Sequence, residues 1–201
     1  MTGITHGTAL WYASRATGVV TMLLLTAVLL LGILVNRQGR LPGLPSFAVT
    51  GLHRNVSLLA VAFLAIHVIT AIVDPYVTIG LAAPVVPFAA GYKPFWLGLG
   101  AVSLDLIAAL IVTSLVRARV SRRAWRGIHW LAYAAWPLAV VHSLGSSSDA
   151  RSGLVLSVLA GCALAVAAAL AWRLSRAAGE IPRAARAAAT LSRTPARKAQ
   201  L

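Results

Sequence analysis

Five long apolar segments constrain this chain more than any other feature of its sequence. They cover residues 10–35, 51–73, 95–116, 127–144 and 153–172. Because a helix rises about 1.5 Å per residue, each segment can cross a hydrocarbon core about 30 Å thick, the fourth only just. Only 11% of the residues are charged, against about 25% in soluble domains. The sequence therefore predicts an all-α, polytopic membrane bundle of about five transmembrane helices.

The composition also limits what else the chain can contain. Beside the five segments, the chain of 201 residues has little material for a separate soluble domain. No glycine-rich phosphate loop follows a strand pattern, so we expect no segment that houses both a flavin site and a nicotinamide site. The net charge of +14 comes mostly from arginine at helix ends and in the tail, which indicates membrane topology and lipid contact rather than nucleic-acid binding. The single cysteine, Cys162, allows no internal disulfide, and no C-x-x-C-H motif is present for covalent haem attachment.

The distribution of basic residues predicts the orientation. The loops after the first and third helices and the C-terminal tail are rich in arginine, and with five spans they lie on one side. The positive-inside rule makes that side cytoplasmic, with the N-terminus outside and the C-terminus inside a cell membrane. The predicted organisation is a short exoplasmic N-terminus (1–9), a transmembrane domain (10–174) and a basic cytoplasmic tail (175–201), which is either a surface helix or disordered.

Four of the five histidines lie within the predicted spans: His53 and His67 on the second helix, His129 and His142 on the fourth. These helices run in the same direction, so His53 and His129 share a depth near the inner face and the other two share a depth near the outer face. The offsets correspond to about 21 and 20 Å along a helix axis. Each level offers two neutral imidazoles that can ligate iron from both sides. Two haems held in this way would carry electrons across the membrane.

The two histidine offsets, 14 and 13 residues, point the second histidine of each helix in different directions relative to the first. An offset of 14 residues keeps His53 and His67 on one helical face, with a rotation of about −40°. An offset of 13 residues rotates His142 about −140° from His129, which would point it elsewhere. Pro137 lies between them and can kink the helix, so we expect it to re-aim His142.

Other interpretations of the intramembrane polar residues remain open. A histidine can simply hydrogen-bond between helices, although four at two matched depths favour ligation because polar groups are costly in a bilayer. Metal-ion transport would usually require carboxylates, and Asp105 is the only one inside the predicted spans. Asp105 either supports a ligand histidine or is a neutral acid bonded to a neighbouring helix. Phe63 and Trp136 lie between the histidine levels, either between the haems or as core packing.

The pattern His53-x13-His67, followed two helices later by His129-x12-His142, resembles the ferric reductase-like transmembrane domain. That family includes NADPH oxidases, ferric-chelate reductases and the haem-binding membrane subunit of the bacterial methionine sulfoxide reductase system. The resemblance implies that these four histidines ligate two stacked, non-covalently bound b haems. It also implies that Arg15 lies at the edge of the outer haem.

The resemblance covers residues 11–172 and implies an electron-transfer membrane subunit of an oxidoreductase. The first helix of six-helix members and the FAD/NADPH dehydrogenase domain have no counterpart, and Ala71 replaces a further histidine of NADPH oxidases, which argues against dedicated superoxide production. The expected donor is a flavin-containing reductase or a quinol. The expected acceptor is exoplasmic: a ferric chelate, a flavoprotein or a reductase subunit. The alternative function is a non-redox transporter or assembly protein that handles haem or metal through its histidines.

Three arginines complete the predicted site. Arg54 adjoins His53 and Arg126 precedes His129 by three residues, at the inner boundary where haem propionates would point. A guanidinium can bind a carboxylate through two parallel hydrogen bonds. Each of these two arginines is equally explained as an ordinary positive-inside residue. Arg15 lies on the side that is poor in basic residues, where its alternative role is to snorkel to the interface.

Overall fold

The computed structural model describes residues 2–36, 45–75, 77–146 and 153–192. Within these residues the chain forms six α-helices and one short 3₁₀ helix, Arg117–Arg119, and no strand. The α-helices are α1 (Thr2–Asn36), α2 (Ser46–Val73), α3 (Pro94–Leu115), α4 (Arg122–His129), α5 (Ala132–Ser146) and α6 (Gly153–Ser192). The prediction of an all-α bundle is confirmed.

Four helices are long and apolar enough to cross a membrane. Their spanning portions are Ala9–Val35, Phe47–Val73, Pro94–Leu115 and Gly153–Ser175. They coincide with the first, second, third and fifth predicted segments, and so confirm a multi-pass membrane protein. Helix α6 continues to Ser192, so the tail is helical up to that residue. The remainder of the predicted tail, 193–201, and Arg37 and Arg40 of the first basic loop lie outside the described residues.

The fourth predicted span, 127–144, is not one helix. Helix α4 ends at His129 and α5 begins at Ala132. Between them the chain is wound more tightly, since the N–H of Leu131 donates to the carbonyl of Ile128 at 2.9 Å, a bond across three residues instead of four. The expectation of a continuous helix is therefore wrong here, and His129 and His142 belong to different helices.

Pro137 lies after this break and not at it. It lies inside α5, has no N–H, and its ring crowds the carbonyl four residues earlier, that of Tyr133. The tighter winding extends to Tyr133, whose N–H donates to the carbonyl of Trp130 at 3.0 Å, again across three residues. Each residue wound at three per turn adds about 20° of rotation over an α-helix. That rotation reduces the angular mismatch between His129 and His142.

The helices pack as two pairs. Helix α1 lies mainly along α2, and α3 lies mainly along α5, while α1 also contacts α5 and α6. The second pair is joined by the hydroxyl of Ser103, which is buried and donates to the carbonyl of Ala135 at 2.9 Å. Such a bond satisfies both polar groups in a region without water. We call α1 and α2 the first helix pair, and α3 and α5 the second helix pair.

The two ends of the bundle differ in charge. The connection from α3 into α4 carries five arginines, Arg117, Arg119, Arg122, Arg123 and Arg126, and we call this the arginine-rich end. At the opposite, distal end, Lys93 precedes α3 in the left-handed region, with φ of 40°. Its Nζ donates to the carbonyls of Gly145 and Ser146 at 3.2 Å each. A cation is favourable there, because the C-terminal carbonyls of a helix carry partial negative charge.

Candidate functional site

The histidine pair nearer the arginine-rich end, the proximal pair, consists of His53 on α2 and His129 at the end of α4. Their ring centroids lie 6.5 Å apart, with an interplanar angle of 62°. Two imidazoles bound to opposite faces of one metal ion have centroids about 6.3 Å apart, since each metal–nitrogen bond is about 2.0–2.1 Å long. The separation of the two rings therefore matches in distance that of two histidines that hold one iron.

The distal pair consists of His67 on α2 and His142 on α5, which lie close enough to interact electrostatically. The Nδ1–H of His67 donates to the carbonyl of Ser14 at 2.7 Å. The Nδ1–H of His142 donates to the carbonyl of Trp96 at 2.9 Å. Because a carbonyl only accepts hydrogen bonds, the ring proton is at Nδ1, and the neutral ring keeps its Nε2 lone pair for a metal. Both side chains thus have the tautomer that axial ligation requires.

The proximal histidines are held differently. The Nδ1 atoms of His53 and His129 are buried and lack a hydrogen-bond partner among the described residues. The carbonyl of Val28 interacts with His53, but in a geometry short of a full hydrogen bond. His129 stacks on Trp125, with ring centroids 4.7 Å apart and planes 22° apart. Packing, more than hydrogen bonding, therefore orients this pair.

Three glycines that the sequence analysis did not single out lie against the histidine rings. A Cβ at Gly18 would lie 2.9 Å from Cε1 of His67, and a Cβ at Gly32 would lie 3.4 Å from Cε1 of His53. Gly100 bears the same relation to His142 on the second helix pair. The sequence does contain a signal for the first two, because Gly18 and Gly32 are 14 residues apart, the same offset as His53 and His67.

Arg15 and Arg54 lie near different pairs. Arg15 follows Ser14, the residue whose carbonyl binds His67, and its guanidinium lies 3.8 Å above the ring of Trp11. The structure thus places it at the distal end of α1, beside the distal pair. Arg54 is exposed and adjoins His53 on α2. The role of each arginine at a haem stays a prediction.

Arg126 belongs to a cationic cavity at the arginine-rich end. The cavity has a volume of about 320 Å³ and is lined by Arg117, Arg122, Trp125 and Arg126. The guanidinium of Arg117 lies 4.5 Å above the Trp125 ring, the same ring that stacks on His129. The Nε1 atom of Trp125 is buried and lacks a partner among the described residues. The cavity therefore offers positive charge close to the proximal pair.

Asp105, Phe63 and Trp136 lie on three different helices. Asp105 is on an exposed face of α3. It supports neither distal histidine, since both Nδ1 atoms bond to main-chain carbonyls. Phe63 on α2 and Trp136 on α5 are half-buried, at positions between the two histidine levels.

The donor set fits a haem better than a free metal ion. In the described part of the chain, no three His, Cys, Asp or Glu side chains come together to hold a metal. A porphyrin itself provides four nitrogens to its iron, so the protein needs to supply only the axial ligands. Each histidine pair provides two.

A comparison with protein families agrees with this geometry. Residues 17–140 match the family model described as "Ferric reductase like transmembrane component". The matched segment includes His53, His67 and His129 and ends two residues before His142. No curated protein and no solved structure matches the chain significantly. Because the family match extends over more than half of its residues, the chain belongs to the ferric reductase-like transmembrane family.

Proposed function

We propose that this protein carries electrons across a membrane through two b-type haems, one at each histidine pair. The observation that carries the proposal is the 6.5 Å separation of the His53 and His129 rings, together with a second pair one level away on α2 and α5. Membership of the family supports the same function, since its members generally bind haem b. The haem supplies one-electron chemistry when bound, and the protein determines its position and potential.

The side chains have distinct roles in this proposal. The Nε2 atoms of the four histidines would hold the haem irons. At the distal pair, the hydrogen bonds from Nδ1–H to the carbonyls of Ser14 and Trp96 fix the orientation of each ring and increase its basicity. Arg54 and Arg126 are placed to bind propionates at the proximal level, and Arg15 serves the distal level. Guanidinium groups suit this because they bind carboxylates through two hydrogen bonds.

The direction of electron flow follows from the positive-inside rule. The arginine-rich end faces the cytoplasm, so electrons enter at the proximal pair and leave from the distal pair to an exoplasmic acceptor, such as a ferric chelate, a flavoprotein or a reductase subunit. The family typically works with a flavin reductase partner, and a quinol is the alternative donor. The membrane is a cell membrane, with the N-terminus outside and the C-terminus in the cytoplasm.

A visible spectrum of the purified protein tests the proposal. The full chain is expressed with ample haem supply, purified in detergent, and assayed for haem and protein. We expect two haems b per chain and a low-spin spectrum that dithionite reduces. A folded protein without haem would overturn the proposal and favour a non-redox transporter or assembly protein. One haem per chain would refute the two-level arrangement.

A further inference from the structure

We propose that Gly18 and Gly100 are positioning residues, each of which opens the main-chain carbonyl four residues before it to the Nδ1–H of a histidine, and that Gly32 has a weaker form of this role at His53. The inference rests on the proposed function in that it assigns haem ligation to these histidines. The full arrangement occurs twice, on α1 and on α3, and Gly32 on α1 repeats the spacing without a hydrogen bond to His53.

The first instance is on α1 at the distal level. The carbonyl of Ser14 accepts the Nδ1–H of His67 at 2.7 Å, and Gly18 is four residues after Ser14. A Cβ at Gly18 would lie 2.9 Å from Cε1 and 3.0 Å from Nδ1 of the same ring. The imidazole therefore occupies the space that any side chain at position 18 would need.

The second instance is on α3, also at the distal level. The carbonyl of Trp96 accepts the Nδ1–H of His142 at 2.9 Å, and Gly100 is four residues after Trp96. A Cβ at Gly100 would lie 2.6 Å from Nδ1 and 2.7 Å from Cε1 of His142. The two distal histidines thus contact their neighbouring helices through the same arrangement, although those helices belong to different helix pairs.

The third instance is weaker and lies at the proximal level. The carbonyl of Val28 interacts with His53, and Gly32 is four residues after Val28. A Cβ at Gly32 would lie 3.4 Å from Cε1 of His53, which is an ordinary van der Waals contact. The described residues give His129 no such arrangement, and its Nδ1 has no partner among them.

Helix geometry explains why a glycine is needed at this spacing. The carbonyl of residue i already accepts the N–H of residue i+4, but its oxygen has a second lone pair. A helical side chain tilts towards the N-terminus and covers the preceding turn. The side chain at i+4 therefore shields the carbonyl of residue i from other donors. Without a Cβ at i+4, an imidazole can approach and donate a second hydrogen bond.

A simpler role for these glycines is to let helices approach closely, as small residues often do in membranes. The two roles predict different consequences. A packing role affects the whole bundle, and so both haems. A positioning role affects the one histidine that faces the glycine, and so one haem, whereas the other haem reports that the bundle is intact.

The experiment compares four alanine variants of the full chain in detergent. Gly18→Ala and Gly100→Ala address the distal level, and Gly32→Ala addresses the proximal level. Gly161→Ala on α6 is the control, because a Cβ there meets nothing within 4 Å. The readouts are haem content, the low-spin ferric EPR spectrum and the midpoint potential of each haem. In addition, ¹⁵N NMR of labelled histidines reports the Nδ1–H tautomer with or without haem.

We expect Gly18→Ala and Gly100→Ala to lose the distal haem, or to keep it with an altered EPR signal and a raised potential. The potential rises because a ligand that loses its Nδ1 hydrogen bond is less basic and stabilises ferric iron less. The proximal signal should be unchanged. Gly32→Ala should cause a smaller shift that is confined to the proximal haem, and Gly161→Ala should match the wild type.

Wild-type distal signals in both Gly18→Ala and Gly100→Ala would overturn the inference, and so would equal damage to both haems. A wild-type protein that binds no haem would instead refute the proposed function. In that case the NMR measurement, which does not require haem, still tests the inference. The His67 tautomer should be Nδ1–H in the wild type and should change in Gly18→Ala, and an unchanged tautomer would overturn the inference.

Discussion

The indole Nε1–H of Trp136 on α5 donates a hydrogen bond of 2.9 Å to the hydroxyl oxygen of Thr26 on α1. The hydroxyl of Thr26 is buried and donates in turn to the carbonyl of Met22 at 2.8 Å. Trp136 lies between His129 and His142 in the chain. The bond therefore connects the first helix pair to the second between the two histidine levels.

The first prediction concerns this bond. Trp136→Phe keeps an aromatic ring and removes the N–H, so we expect the free energy of unfolding to fall by about 1 kcal/mol, the usual net value of one hydrogen bond. Thr26→Val should cost a similar amount, and the double variant should cost less than the sum, because both changes remove the same bond. Denaturation of the detergent-solubilised protein measures this. Fully additive losses would show that the bond contributes nothing.

The second prediction concerns the separation of the two sites. His67→Ala and His142→Ala should each reduce the haem content from two per chain to one, because each removes an axial ligand from the distal pair only. His53→Ala and His129→Ala should do the same at the proximal pair. The haem that remains should keep its wild-type spectrum in every variant. Loss of both haems from a variant that stays monodisperse would argue against separate sites.

The third prediction concerns the cationic cavity. Arg117→Gln and Arg126→Gln should lower the midpoint potential of the proximal haem, because a nearby positive charge favours the reduced iron, which carries one charge less. Arg119→Gln is the matched control, since it removes the same charge from the same connection but does not line the cavity. Redox titration with optical detection measures all three. An equal shift in Arg119→Gln would show that the potential depends on the overall charge and not on the arginines of the cavity.

The fourth prediction concerns orientation. Single cysteines replace Ser147, which follows α5 and lies outside the described residues, and Ser192 at the end of α6. Native Cys162 is buried, so the thiol reagent should not label it. On intact cells stripped of any outer envelope, a membrane-impermeant thiol reagent should label the cysteine at 147 but not the one at 192. The reverse pattern would invert the electron path, and labelling at both positions would contradict the number of spans.

The spans and the histidine levels could be predicted from the sequence because both depend on simple periodicity. Apolar runs of at least 18 residues predict membrane helices directly, and the offset from His53 to His67 places both on one helical face. The break after His129 could not be predicted in the same way. The break lies inside the segment 127–144 that was predicted as one span, and Pro137 lies within α5 after it, so neither the apolar segment nor the proline indicates where the break occurs.

The role of the glycines could not be predicted from the sequence, for a different reason. Gly18 and Gly32 repeat the offset of the α2 histidines, which is visible in the sequence, but small residues in membrane helices are common. Their relation to the histidines depends on which carbonyl faces which ring. That follows from the antiparallel packing of α1 against α2 and from the rotation of each helix about its axis, which pattern alone does not specify.

The division into two helix pairs has a consequence for the biogenesis of the protein. Each histidine pair has one residue on α2 and the other on α4 or α5. Both histidine pairs therefore lie between the first helix pair and the part of the chain that forms α4 and α5. The chain can therefore insert into the membrane as two hairpins before any cofactor arrives, and ligation at both depths would then fasten them together. A ligand present at 100 times its dissociation constant adds about 2.7 kcal/mol to stability. Without haem, the two helix pairs would still be joined by the bond from Trp136 to Thr26 and by the packing of α1 against α5, but the protein would lose the stabilisation that haem binding adds.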